Sequence, residues 1–128
     1  MRKNILSGAK WENIVGYSRA VRLGNIIEVS GTVSADGDLI IGKNDEYEQT
    51  KFILKKIENS LIQAGAAITD VVRTRIYVKN IKNWNEVAKA HAEVFSRIKP
   101  ATSMVEVSSL IAPEFLVEIE ATAIVSTK

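Results

Sequence analysis

The chain has 128 residues, of which 46% are hydrophobic and 25% are charged, and its net charge is +2. This length and composition are typical of a single soluble globular domain, here residues 1–128. Its core is large enough for the chain to fold without disulfides or a structural metal. The sequence contains no cysteine, which excludes disulfides, thiolate nucleophiles and cysteine-ligated metals, and its scattered basic residues predict no nucleic-acid surface.

The N-terminal third predicts a β-meander. Residues 17–23 and 26–30 form the two arms of a hairpin across Gly24 and Asn25, a pair that tolerates the positive φ of a tight turn. A second turn at Asp36 and Gly37 precedes a short strand over residues 39–41.

An amphipathic helix and a strand follow. Asp45 and Glu48 have the spacing of a capping box, and apolar residues then recur every three or four positions until Gly65 ends the helix. Residues 70–78 alternate and are rich in β-branched side chains, which predicts a strand.

A second helix is predicted from Asn83, with Glu86 as its capping-box partner, and Pro100 stops it. Its apolar stripe consists of Trp84, Val87, Ala88, His91, Phe95 and Ile98. Strands over residues 102–107 and 117–125 complete the order β-β-β-α-β-α-β-β, an α+β fold with six strands and two helices.

Both helices are expected on one face of the sheet, because two right-handed crossovers in a short chain place them on the same side. The open face predicted by alternation mixes apolar with charged side chains: Val71, Tyr77, Met104 and Ile124 with Arg73, Arg75, Glu106, Glu118 and Glu120. Such a face is suited to packing between subunits, so we predict a homo-oligomer, for which a dimer and a trimer fit equally well.

The start and hydropathy of the chain predict a cytoplasmic protein with no membrane partner. Residues 1–10 lack the apolar segment of a secretory signal, and no apolar run is long enough to span a bilayer. The sequence has one histidine and no phosphate-binding glycine motif, so neither a cofactor nor a metal is expected.

The sequence also resembles a known family over nearly its whole length. The matching segments, in order, are Tyr17, Val29-Ser30-Gly31, Gly65-Ala66, Asp70-Val71-Val72-Arg73-Thr74, Tyr77-Val78, Pro100-Ala101, Ser103, Val105-Glu106-Val107 and Val117-Glu118-Ile119-Glu120-Ala121. They are similar to the Rid family, also called the YjgF or endoribonuclease L-PSP family. The resemblance implies a mixed six-stranded sheet with two helices on one face, as in the small trimeric chorismate mutase. It also implies a homotrimer with a small-molecule cleft at each subunit interface.

The activity that the resemblance implies is hydrolysis of 2-imino acids, or of the related enamines, to 2-keto acids and ammonia. That chemistry needs a cation for the substrate carboxylate, and a positioned water beside a base. By resemblance, Glu118 positions the water, while Tyr17, Ser30 and Gly31 line the cleft.

The chain departs from the family pattern at two cleft positions. Thr102 stands where the family has a carboxylate-binding arginine, and Ala88 stands where it has an asparagine. A threonine hydroxyl offers one neutral hydrogen bond, whereas an arginine offers a charge-assisted fork. The resemblance therefore implies an altered substrate or a lost activity.

Several candidate residues have two interpretations each. Glu118 is either the water-positioning carboxylate or a structural partner of Arg73 or Arg75, while Glu120 is assigned to interface packing. Arg75 is either a replacement anion anchor or an interface ion pair.

The remaining candidates are treated in the same way. Arg19 is either a replacement anion anchor or simply exposed to solvent. His91 is either a partly buried, hydrogen-bonded helix residue or part of the cleft lining, to which Met104 is also assigned.

Three functions stay open at this point. The first is an imine or enamine deaminase that acts on a small polar metabolite, such as a 2-imino or 2-keto acid. The second is a metabolite-binding or regulatory trimer without turnover, suggested by Thr102 and Ala88. The third is RNA cleavage, which a single histidine and the missing basic groove disfavour.

Overall fold

The structure is a computed structural model that describes residues 1–126. Its strands and helices, in chain order, are β1 (Arg2–Ile5), α1 (Lys10–Val15), β2 (Ala20–Leu23), β3 (Ile26–Thr32), β4 (Ala35–Asp36), β5 (Leu39–Ile40), α2 (Glu46–Gln63), β6 (Val71–Val78), α3 (Trp84–Phe95), β7 (Ala101–Glu106) and β8 (Val117–Ile124). The predicted hairpin, both long helices and the last three strands are all present, with ends that differ by a few residues.

The main sheet has six strands in the order β1-β2-β3-β8-β6-β7. Strands β6 and β7 are parallel, as the crossover through α3 requires, and every other neighbouring pair in this sheet is antiparallel. The predicted α+β class with a mixed six-stranded sheet is confirmed.

One member of the sheet was assigned wrongly. The strand predicted over residues 39–41 is β5, and it pairs only with β4 in a separate two-stranded ribbon. The sixth strand of the main sheet is instead β1, which the sequence did not reveal because Ile5 is its single apolar residue.

Both long helices cover the same face of the sheet, as expected. Helix α2 packs against β3 and β8, and α3 packs against α2. The core between them is aliphatic, and its members with almost no exposure include Ile27, Ile53, Ile57, Leu61, Ile76, Val78, Val117 and Ile119. Burying each of these side chains contributes about 1.5–3 kcal/mol.

The ends of α2 agree in part with the sequence pattern, since Asp45 caps the helix, but the Asp45 amide donates to the Gly42 carbonyl oxygen and not to Glu48, so the capping box is half formed. The Asp45 carboxylate accepts a hydrogen bond from the Glu48 amide at 3.1 Å, and Gly65 follows the helix with a φ of +83° that favours glycine.

Helix α3 differs from its predicted pattern at the start. Asn83 makes no side-chain cap, because its amide donates to Glu46 Oε2 at 2.8 Å. Trp84, placed in the predicted apolar stripe, is 55% exposed and does not belong to the core. The buried residues of α3 are Val87, Ala90 and Phe95.

Two strands present side chains on faces other than those predicted. A register shift lies between Val71 and Arg73, so Val71 is 3% exposed in the core, whereas Val72 is 43% exposed. On β7, Met104 packs against the core, and Glu106 accepts a hydrogen bond from the Ile81 amide. Both therefore lie on the helix-covered side rather than on the open face.

None of the helices within residues 1–126 has the length and apolar character to cross a bilayer.

Candidate functional site

The sequence-predicted site residues fall into two separate groups and one outlier. The first group, here called the carboxylate cluster, consists of Tyr17, Arg19, Ser30, Gly31 and Glu118. The second, here called the hydroxyl–imidazole chain, consists of Thr102, Thr74 and His91, with Met104 and Ala88 on the same strand and helix. Arg75 belongs to neither group.

A bulge in β3 builds the carboxylate cluster. Between Val29 and Thr32, β3 advances three residues while the partner strand β8 advances two, from Ala121 to Ile119. The extra residue on β3 kinks the strand at Ser30 and Gly31.

The Glu118 carboxylate lies directly against Gly31. A Cβ atom added at Gly31 would overlap with Oε2 of Glu118. Gly31 is not among the residues with positive φ, so the requirement for glycine is one of space. Glycine at this position lets the carboxylate approach the backbone.

Arg19 lies on the other side of this contact and is almost entirely buried. It is 9% exposed, and its Nη2 donates to the Gly31 carbonyl oxygen at 2.5 Å. Its guanidinium also stands 5.7 Å from the centre of the Tyr17 ring. The expectation of solvent exposure for Arg19 was wrong.

The environment of Glu118 favours its protonated form. Burial raises the pKa of the Glu118 carboxyl above its usual range, the neighbouring Glu120 raises the pKa further, and the charge of Arg19 opposes both. A carboxyl group with a raised pKa exchanges protons closer to neutral pH, as a general acid or base must.

Glu118 does not pair with either arginine that was considered for it. Arg75 Nη1 lies 3.8 Å from Oε1 of Glu120, and Arg73 Nη2 donates to Ser103 Oγ at 3.0 Å. Glu120 also accepts a hydrogen bond from the Tyr77 hydroxyl at 3.0 Å. Glu120 is therefore held by cross-strand partners within the protomer, and its assignment to interface packing stays a prediction.

A shallow hollow of about 460 Å³ opens beside Glu118. Its lining residues are Tyr77, Val107, Ser109, Leu110, Ile111, Glu118 and Glu120. The sequence reasoning missed the loop residues Ser109, Leu110 and Ile111. The only signal for them was the adjacent apolar pair Leu110 and Ile111 between two strands.

Tyr17 and Ser30 line a neighbouring hollow of about 440 Å³, together with Ser18 and the buried Glu12. The Ser30 hydroxyl donates to the Ser18 carbonyl oxygen at 2.7 Å, and the Glu12 carboxylate accepts hydrogen bonds from Ser7. These bonds fix the loop that carries Tyr17 next to the other residues of the carboxylate cluster.

The hydroxyl–imidazole chain lies on the helix-covered side of the sheet edge. Thr102 Oγ1 is 2.8 Å from Thr74 Oγ1, which is 3.0 Å from Nε2 of His91. Burial lowers the pKa of His91, which keeps the imidazole neutral at physiological pH. His91 is thus the partly buried, hydrogen-bonded helix residue of the first interpretation, and its ring also packs against Phe95 at 4.6 Å between centres.

Within one protomer the two groups do not meet. Glu118 alternates with the buried residues of β8 and so faces the open side, whereas Thr102 bonds to the buried Thr74 and faces the helices. Among residues 1–126, moreover, no group of three or more acidic and histidine side chains could hold a metal ion.

Comparison with known proteins places the chain beside one family. The model of the family described as endoribonuclease L-PSP matches residues 8–125. A RutC family protein from Pyrococcus abyssi is 35% identical over 96% of this chain and 98% of its own. The 3-aminoacrylate deaminase RutC of Acinetobacter baylyi is 30% identical over 84% of this chain and 85% of its own.

Solved structures give the same result. A crystal structure of a member of the YjgF/YER057c/UK114 family from Mycobacterium tuberculosis has a TM-score of 0.90 and 50% identity, covering 98% of this chain and all of that one. A Rid protein family structure from Yersinia pestis has a TM-score of 0.85 and 36% identity, again covering 98% of this chain.

Proposed function

The chain belongs to the endoribonuclease L-PSP family, also called the Rid or YjgF family, and on this premise we propose that it hydrolyses small imines or enamines to carbonyl compounds and ammonia. The observation that carries the proposal is Glu118: a carboxylate held against Gly31 with a raised pKa and without an ion-pair partner among the described residues. A carboxylate kept half-buried without a partner costs stability, which a structural role would not require.

The proposed reaction balances with water alone. An enamine first takes a proton at carbon to become the iminium ion, which is the protonated imine; water then adds to the iminium carbon and loses a proton to give the carbinolamine. Transfer of the hydroxyl proton to nitrogen then lets the carbinolamine expel ammonia and leaves the carbonyl group. Glu118 in its acid form donates the proton, and as carboxylate it accepts a proton from the attacking water. The raised pKa allows one residue to serve both steps.

The proposed assembly is a homotrimer in which the open faces of the sheets pack together. Support comes from apolar side chains that remain exposed on that face of one protomer, namely Leu23, Ile26, Val105 and Ile124. Because Thr102 lies on β7, an edge strand of the sheet, the contacts at the sheet edges that close such a trimer would bring the hydroxyl–imidazole chain of one protomer toward the carboxylate cluster of the next. We expect sedimentation to give three times the monomer mass. A monomer at micromolar concentration would contradict the trimer.

One relative supports the class of reaction. The Acinetobacter baylyi protein is named for deamination of 3-aminoacrylate, and this compound is an enamine. The present chain shares 30% identity with it, so the proposed reaction class rests on Glu118 and on this likeness together.

The activity is tested on imines made continuously in the cuvette. An amino-acid oxidase supplies a 2-imino acid, a flavin amine oxidase supplies an imine without a carboxylate, and catalase removes the peroxide. Semicarbazide traps the imine that escapes hydrolysis, so faster hydrolysis lowers the semicarbazone signal. We expect the protein to accelerate the hydrolysis of at least one of the two imines.

Glu118→Gln and Glu120→Gln form a matched pair for this assay, because the two residues lie on the same face of β8. Loss of the general acid–base in Glu118→Gln is expected to lower the rate by about 10²–10⁴-fold. Glu120→Gln should retain most of the activity. Equal rates for wild type and Glu118→Gln would contradict the proposal, as would no acceleration of either imine.

A second candidate function is binding of a metabolite without turnover. It is favoured by Thr102 and Ala88, which replace the family's arginine and asparagine, since Thr102 is already bonded to Thr74. Ligand binding that survives Glu118→Gln, in a protein that hydrolyses neither imine, would support it. RNA cleavage has less support, because the one histidine is bonded to Thr74 on the opposite side of the sheet from Glu118.

A further inference from the structure

We propose that the preferred substrate is a neutral or cationic imine without a carboxylate group, because the cationic side chains near the two halves of the site are buried or already paired and the hollow beside Glu118 is acidic and apolar. This inference rests on the proposed imine hydrolysis and names its substrate class. It separates the chain from the relative that is named for 3-aminoacrylate, which carries a carboxylate.

Thr102 cannot replace a carboxylate-binding arginine. Its hydroxyl stands 2.8 Å from Thr74 Oγ1 and 3.3 Å from the Pro100 carbonyl oxygen. A hydroxyl has a single proton to donate, and both neighbouring oxygens can accept it. The imidazole of His91, which ends the chain, supplies no positive charge, because burial lowers its pKa.

Arg19 is also unavailable. Its Nη2 donates to the Gly31 carbonyl oxygen, and its Nε, which has no hydrogen-bond partner among the described residues, is closed off from solvent, so the guanidinium is not open to a substrate carboxylate. Its positive charge affects the site without contacting a substrate, because it lowers the pKa of Glu118.

Arg75 and Arg73 lie on the open face, but neither forms an ion pair with Glu118, and the Nε of Arg73, which has no partner among the described residues, is buried. Arg75 is paired with Glu120, and a substrate anion that took Arg75 would leave two carboxylates, Glu118 and Glu120, unneutralised side by side. Arg73 donates to Ser103 and stands four residues from Tyr77, the β6 residue opposite Glu118, which corresponds to about 13 Å along the strand.

The lining of the hollow favours the opposite charge. Two carboxylates, Glu118 and Glu120, face it together with the apolar side chains of Val107, Leu110 and Ile111. A protonated imine is a cation, and the carboxylates would stabilise its charge while the apolar loop contacts a short hydrocarbon group. A substrate carboxylate in the same place would meet like charge.

The first test uses two small ligands of nearly identical shape. Isobutyrate and isobutyramidinium are both planar at the reacting position, but one is an anion and the other a cation that mimics a protonated imine. NMR titration of the wild-type protein is expected to show the amidinium binding at least about tenfold more tightly. Tighter binding of isobutyrate would overturn the inference.

Three variants sharpen this measurement. Glu118→Gln should weaken amidinium binding. Thr102→Arg should raise the affinity for isobutyrate by about tenfold or more, because it supplies a charge-assisted fork. Thr102→Val, which removes the hydroxyl without adding charge, is the matched control and should leave isobutyrate as weak a ligand as before. A gain in isobutyrate affinity for Thr102→Val equal to that for Thr102→Arg would contradict the charge argument.

The rates of imine hydrolysis separate failure of this inference from failure of the proposed function. A wild-type rate that is at least about tenfold higher for the imine from isopentylamine than for the 2-imino acid from leucine supports both. A preference for the 2-imino acid overturns the inference and leaves the function standing. Hydrolysis of neither imine overturns the function, and the binding preference then decides whether the site still selects cations.

Discussion

The two faces of the same six-stranded sheet differ in how much of their apolar surface is buried within one protomer. On the face covered by α2 and α3, aliphatic side chains such as Ile119 are fully buried. On the open face, alternate residues of the same strands leave Ile124 at 46% exposed beside charged side chains. The covered face needs nothing more to be stable. The open face has apolar surface still to bury, and it carries the half-buried Glu118.

The largest expected effect comes from a matched pair on β8. Ile119→Ala on the covered face should reduce the free energy of unfolding by about 2–5 kcal/mol, because the closed core cannot fill the cavity. Urea denaturation measures this change. Ile124→Ala, the same substitution on the open face, should act mainly on self-association and make the unfolding midpoint more dependent on protein concentration. Equal, concentration-independent losses for both variants would show that the faces do not differ as proposed.

Gly31→Ala should separate activity from stability on the open face. The new methyl group overlaps with the Glu118 carboxylate, which is the flexible end of a side chain and can move aside. We expect a fall in kcat/KM of about 10²-fold, with an unfolding free energy within about 1 kcal/mol of wild type. Steady-state kinetics and urea denaturation on the same preparation check both parts. Unchanged kinetics would mean that the contact between Gly31 and Glu118 does not position the carboxylate.

Glu118 and Glu120 should respond in opposite ways to conversion to glutamine. The raised pKa of Glu118 means that the folded state holds its proton more tightly than the unfolded chain does, so this residue lowers stability as pH rises through its ordinary pKa toward the raised folded value. Glu118→Gln should therefore raise the Tm at pH 7, with a smaller gain at pH 4. Glu120→Gln loses its bonds to Tyr77 and Arg75 and should lower the Tm at pH 7. Differential scanning calorimetry at both pH values measures the contrast.

The same pair predicts a shift in the pH dependence of catalysis. Glu120 raises the pKa of Glu118, so Glu120→Gln should move the Glu118 limb of the pH–rate profile to lower pH. A shift to higher pH, or no shift, would show that a different group controls that limb.

The smallest expected effect is on the pH dependence of stability, through His91 on the covered face. Burial lowers the pKa of His91, so the neutral form is favoured in the folded state, and stability is lost as pH falls through the ordinary histidine pKa of about 6.5. His91→Asn keeps a hydrogen-bonding group near Thr74 and should flatten the loss of stability between about pH 7 and pH 5. An unchanged slope, measured by urea denaturation across this range, would contradict the assignment of a buried, neutral imidazole.

Local patterns in the sequence were sufficient for the elements whose signals are short in range. The capping residue Asp45, the terminator Gly65 and the alternation of β8 each depend on neighbours within a few residues. Strand β1 escaped prediction because its burial comes from pairing with β2 and not from its own composition. The faces of β6 and β7 were partly wrong because a bulge at Val71 and the starting register of β7 are properties of the assembled sheet.

For the candidate site, too, some features follow from local sequence and others depend on the assembled fold. The residue types of the site can be read from the amino-acid sequence: Glu118 on an alternating strand, Ser30 and Gly31 in the second arm of a hairpin, and Thr102 where the family has an arginine. The contacts among them come from the assembled fold, in which Gly31 makes room for the Glu118 carboxylate, Arg19 is buried beside Gly31, and Arg75 pairs with Glu120. Composition and spacing fix the chemistry of a side chain, whereas its partners, its burial and hence its pKa depend on residues far away in the chain.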